Sequence, residues 1–178
     1  MPRHMKAEED RLWRLAQEWG RLYLSLRDAA VAEKLQAFKQ LEKRFLREMR
    51  TAAGKREVQR KITKTFLMET CSGPWRGFSP YLRRMERLGY PSMDDRLLVC
   101  CWAAQAAKGS AVGVRRTTAL IADFERRVRI RPPHPVVLEQ VEFALARARG
   151  FIGLGATDAV EGRERRKKPK ARGPRSAE

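Results

Sequence analysis

"LLVCCWAAQAA", residues 97–107, has no polar face: around a helical wheel only Gln105 interrupts the apolar surface. In a chain free of membrane-length apolar runs, such a helix must be covered by neighbours on several sides. Its flanks confirm the reading. Ser92 can cap the N-terminus, Asp94 and Asp95 suit the positive end of the helix dipole, and Gly109 offers a stop. Residues 97–107 therefore form the expected centre of the fold, and the rest of the chain is read outward from them.

On the C-terminal side, residues 114–130 repeat a helical stripe through Leu120, Phe124 and Val128, broken by "RPPHP", 131–135. Pro135 then opens a helix with Leu138, Val141, Leu145 and Ala148 inward, closed by Gly150. On the N-terminal side, "YPSMDD" is preceded by a short helix over 81–88 that ends at Gly89, with Ser79-Pro80 as its start. "CSGPWRGFSP", 71–80, reads as a connection because it holds two glycines and two prolines.

Earlier still, Leu12, Leu15, Trp19, Leu22 and Leu26 step 3-4-3-4, and after a break near Asp28 the stripe resumes through Leu35, Phe38, Leu41, Phe45 and Met49. Val58, Ile62 and Phe66 continue it beyond Gly54, so a tight helical hairpin around Gly54 is expected. No stretch alternates with period two. The fold class is all-α: an irregular bundle of about six to eight helices around 97–107, in one domain over 1–157. Residues 158–178 are expected to be a disordered basic tail: "EGRERRKKPKARGPRSAE", 161–178, carries eight basic and three acidic residues and no aliphatic larger than alanine.

Charge narrows the function. The 178 residues hold 39 Lys and Arg against 21 Asp and Glu, a formal net charge of +18. A compact state repels itself at that charge, and a polyanion relieves the repulsion. The excess is concentrated in "LEKRFLREMRTAAGKREVQRKITKTF", 41–66, with nine bases and three acids. On a wheel with Phe38 inward, Lys39, Lys43, Arg47 and Arg50 fall on the outer face and Arg44 on its flank. In the next segment Arg56, Arg60 and Lys64 lie opposite Val58 and Ile62, with Lys55 beside the glycine. Two basic faces side by side across a Gly54 hairpin would grip a phosphate backbone. Arg115, Arg126 and Arg129, opposite Phe124, make a second basic group.

Other chemistries find little material. The two histidines, His4 and His134, sit in a terminus and a proline cluster, short of the converging ligands a metal needs. Cys71, Cys100 and Cys101 form no C-x-x-C pair and read as free thiols in a reducing compartment, so the localisation expected is cytoplasmic, or nuclear if the source has a nucleus. "GFIGLG", 150–155, has glycines but neither the preceding strand nor the Lys-Ser/Thr of a phosphate loop. Trp75 and Phe78 are the aromatics best placed by sequence to stack on bases, although pinning a loop to the core is the better reading.

The expected function is thus a non-enzymatic nucleic-acid-binding accessory protein, RNA or DNA, with no cofactor, metal, membrane or small-molecule substrate. Protein partners in a larger ribonucleoprotein or DNA-processing complex fit the same reading. Two alternatives stand beside it. "AAQAAKGSAVGVRRTTALIADFERR", 103–127, could be a helix-turn-helix of a sequence-specific regulator, though its turn reads as long. The 12–26 stripe could instead serve a helical protein–protein assembly factor.

Overall fold

The computed structural model describes the backbone of residues 3–167 and the side chains of residues 6–153. Among the described residues there are seven helices and no strand: α1 (Arg3–Ser25), α2 (Val31–Glu48), α3 (Ala52–Thr70), α4 (Trp75–Leu88), α5 (Met93–Ala106), α6 (Ala111–Ile130) and α7 (Pro135–Lys167). The backbone expected to be a basic tail is described only as far as Lys167, and its side chains lie outside the described residues.

Three core clusters run along the bundle, joined by two shared helices. The first gathers Leu15 of α1, Phe38 and Phe45 of α2, and Val58 and Ile62 of α3. The second takes Leu67 from the same α3, Phe78 and Met85 from α4, and Val99 and Ala103 from α5. The third takes Cys100 and Ala104 from α5, Ile121 and Phe124 from α6, and Val141 and Leu145 from α7. Neighbouring residues of α5 thus feed opposite cores, Val99 and Ala103 on one side and Cys100 and Ala104 on the other. That division is the reason the helix is apolar all round, and α5 packs on α3, α4, α6 and α7 as a central helix should. Each large side chain fully buried here contributes about 1.5–3 kcal/mol of transfer free energy.

α3 is a second shared helix, which its sequence did not announce. Its buried polar residues are threonines, and their hydroxyls are satisfied within the helix: Thr63 donates to the Gln59 carbonyl at 2.6 Å and Thr70 to that of Phe66 at 2.6 Å. Thr65 also accepts from Trp19 Nε1 at 2.5 Å, tying α1 to the bundle axis. Such back-bonded hydroxyls remove the cost of burying a polar side chain.

The helix boundaries follow their caps. Ser92 Oγ accepts from Asp95 N at 3.1 Å and Ser110 Oγ from Gly113 N at 3.1 Å, each contributing about 1 kcal/mol. Gly89 and Gly109 take positive φ, 75° and 72°, where a side chain would be strained. Three expectations are corrected. α4 begins at Trp75, so the connection after Thr70 is only residues 71–74 and Pro80 lies within the helix. α7 does not stop at Gly150 but runs on to Lys167. The turn between α2 and α3 falls at residues 49–51, where Thr51 caps α3 by accepting from Gly54 N at 3.0 Å. Gly54 is therefore in the first turn of α3, buried beneath Glu8 of α1, and its smallness serves that close approach.

Candidate functional site

Lys39, Lys43 and Arg47 stand exposed on the outer face of α2. Spacing of four residues gives a rise of about 6 Å between successive members. Arg47 Nε donates to the Lys43 carbonyl at 3.3 Å, which lays its side chain along the helix. Round the turn, Arg50, Lys55 and Arg56 are exposed as well. Among the described residues none of these six cations is in an ion pair.

The acids that could have neutralised them are engaged elsewhere. Glu42 is buried and binds Arg84 of α4 with both oxygens. Glu48 takes Arg14 of α1, and Glu57 faces Arg60 at 3.5 Å. All three acids of the 41–66 segment thus hold arginines outside the exposed set, and the outer stripe keeps its full charge.

Other residues expected in the interface are engaged by groups on neighbouring helices. Arg44 pairs with Glu18 and lies over the Phe45 ring, 5.1 Å from its centroid. Lys64 reaches Asp95 of α5 at 2.5 Å, a contact that helps hold this carboxyl below the usual range against the opposing effect of its burial. Arg60 donates to the Leu88 carbonyl at 2.9 and 3.2 Å and to that of Gly89 at 3.0 Å, closing the C-terminus of α4. Two parallel basic faces are therefore not what the turn produces. A wheel with one core side places Arg60 and Lys64 outward, but α3 has two core sides, and these residues meet α4 and α5.

On α6, Arg115 and Arg129 are exposed without an ion-pair partner among the described residues, whereas Arg126 pairs with Asp123. Arg116 is bound to Glu86 of α4 at 2.7 Å. Arg21 of α1, missed in the sequence reading, is exposed and lines the α1–α2 groove beside Arg44. Its outward place was legible from the α1 stripe; its neighbourhood to α2 was not.

The aromatics and thiols settle into structural places. Phe78 is fully buried, and Trp75 packs on the second core with its ring 5.7 Å from that of Phe78, so both aromatics serve the core, as residues of the first turn of α4 and not of a loop. Cys71 and Cys100 are buried and Cys101 half-buried, all free. Burial pushes the Cys100 thiol up to about 12, which keeps it protonated and unreactive. His134 is exposed just before α7. No described helix is long and apolar enough to cross a membrane, and the described residues hold no cluster of three potential metal ligands. No family model, curated protein or solved structure matches this chain.

Proposed function

We propose that the chain is a non-enzymatic nucleic-acid-binding accessory protein that holds phosphate backbone on the α2 face and the turn that follows it. The observation that carries the reading is the set Lys39, Lys43, Arg47, Arg50, Lys55 and Arg56: six exposed cations without ion pairs, beside acids that are all engaged by other arginines. Phosphate contacts position a protein without reading sequence. An accessory subunit of a ribonucleoprotein or DNA-processing complex, with sequence choice left to another component, suits that chemistry. Arg21 and the α6 pair Arg115 and Arg129 would extend the contact.

The test is charge reversal. Changing Lys43, Arg47, Arg50 and Arg56 to Glu should reduce affinity for RNA or DNA by orders of magnitude at low salt, since each lost phosphate contact removes one released counterion. Arg60→Gln, which alters a charge bound inside the fold, should leave affinity nearly intact. Equal effects of the two sets would reject the assignment.

One observation favours the second reading, a helix-turn-helix regulator. The connection between α5 and α6 is residues 107–110, four residues with Gly109 at positive φ, within the length of a compact turn. Arg115→Ala should then change base preference, whereas the α2 reversals weaken all sequences alike.

A further inference from the structure

Between α4, α5 and α6 lies a cleft of about 370 Å³ whose charged lining is Glu86, Arg96, Arg116, Asp123 and Arg127, with Tyr90 among them. Two features of it are unresolved by the fold alone. The Tyr90 hydroxyl is buried and has no hydrogen-bond partner. A buried hydroxyl in that state costs about 1–3 kcal/mol, so it calls for an explanation.

The second feature is charge. Three guanidinium groups converge on one carboxylate: Arg127 Nε donates to Asp123 at 2.8 Å, Arg96 Nη1 approaches it at 3.5 Å, and Arg126 binds its other oxygen. Arg116 is matched one-to-one with Glu86. Three lining arginines against two lining acids leave one positive charge in excess in the concavity, and Arg126, outside the lining, draws further on the Asp123 carboxylate. The nearby end of α4 does not offset this excess, because Arg60 takes the Leu88 and Gly89 carbonyls. Arg96 is held over the Tyr90 ring, 4.4 Å from its centroid, so guanidinium and phenol share one wall.

We propose that this cleft is a binding site for a phosphomonoester, its phosphate oxygens taking N–H donors from Arg96, Arg116 and Arg127 and the O–H of Tyr90. A tetrahedral dianion offers several acceptors to donors arriving from different helices, where a carboxylate offers two oxygens in one plane. The Tyr90 hydroxyl is closed to water, and Glu86, Arg96 and Arg116 are its charged neighbours. Arg116 is half-exposed and free to turn from Glu86 toward an arriving anion, and a shift of this wall is required before the anion can reach the buried hydroxyl. Burial, first, and the charge of Glu86 keep the phenol protonated throughout the physiological range, a donor and not an acceptor. Ala119 and Leu120 supply an apolar wall for what the phosphate is attached to.

The site shares no residue with the α2 face and stands or falls apart from it. The phosphomonoester could be a free small molecule or the 5′ end of a nucleic acid, and the experiment separates them. Isothermal titration uses inorganic phosphate, adenosine 5′-monophosphate, and one short oligonucleotide with either a 5′-phosphate or a 5′-hydroxyl. Wild type should bind the monophosphate saturably, with Tyr90→Phe and Arg127→Gln each weakening it about tenfold, as loss of one hydrogen bond to a charged group does. A matching preference for the 5′-phosphorylated oligonucleotide assigns the site to nucleic-acid ends; saturable monophosphate binding without that preference assigns it to a small molecule. Tyr90→Phe keeps the ring and removes only the orphan hydroxyl, so its melting temperature should equal or exceed that of wild type. Arg127, half-exposed, provides the second variant. Absence of saturable binding at millimolar phosphate and monophosphate, or affinity unchanged in both variants, overturns the proposal.

Discussion

Arg60 on α3 and Gly89 at the end of α4 are joined donor to acceptor at 3.0 Å. The contact makes a surface-looking arginine part of the scaffold. Arg60→Ala should leave the Leu88 and Gly89 carbonyls without their donor and lower stability by about 1–3 kcal/mol. Single changes of Lys43 or Arg47 to Gln should stay within about 0.5 kcal/mol, because both are exposed. Urea unfolding of the three variants checks this. A harmless Arg60→Ala would return that residue to the candidate interface.

Two glycines respond differently to the same change. A Cβ at Gly113 would lie 2.9 Å from the Ala107 Cα and 2.9 Å from the Trp75 ring, neither of which can yield easily. Gly113→Ala should cost about 1–3 kcal/mol by overpacking. At Gly54 the obstacle is the end of the Glu8 side chain, which can swing aside. Gly54→Ala gains about 1 kcal/mol of helix propensity, set against the lost Glu8 contacts, so its net effect should be smaller. Thermal or urea melts that rank them the other way would contradict the packing.

Glu8 bridges α1 to the start of α3, its Oε1 accepting from the Thr51 hydroxyl at 2.7 Å and from Thr51 N at 3.3 Å. Burial works against its ionised form, but those bonds and Arg11 outweigh it and hold its carboxyl below the ordinary value. Asp123 is held low chiefly by its hydrogen bonds from Arg127 and Arg126. A carboxyl depressed in the folded chain contributes stability that is complete above its unfolded value and lost as pH falls through the folded one. Stability should therefore decline below about pH 4.5. Glu8→Gln should be less stable at neutral pH and decline less steeply in acid; parallel curves would show that Glu8 contributes nothing to the slope.

Glu42 and Arg84 tie α2 to α4 through a carboxylate only 7% exposed. Removing the arginine strands that charge, so Arg84→Met should cost up to about 3 kcal/mol, while the double variant with Glu42→Met should recover much of it. A double-mutant cycle measures the difference. Additive losses would mean that the pair is not coupled.

What was legible in the sequence, and what was not, follows from the range of each interaction. Ser92, Gly89 and Pro135 mark helix ends through local backbone chemistry, and each acts at the boundary read for it, whereas α5 ends at Ala106, three residues before the positive-φ Gly109. The apolar surface of 97–107 announced a covered helix. The second core side of α3 shows no period in the sequence, because Leu67 is the one large apolar residue the helix contributes there. The exposed stripe Lys39, Lys43 and Arg47 was recoverable from periodicity alone. The engagement of Arg44 by Glu18 and of Lys64 by Asp95 was not, because those acids arrive from other helices.

The most direct test of the α2 face is the salt dependence of wild-type binding to single- and double-stranded RNA and DNA. If the six exposed cations meet phosphates, log K should fall linearly with log salt with a slope of roughly −4 to −5. Reversing Lys43 and Arg47 should flatten it by about two units by the same relation. A slope near zero for all four nucleic acids, or one that those reversals leave unchanged, would contradict the account.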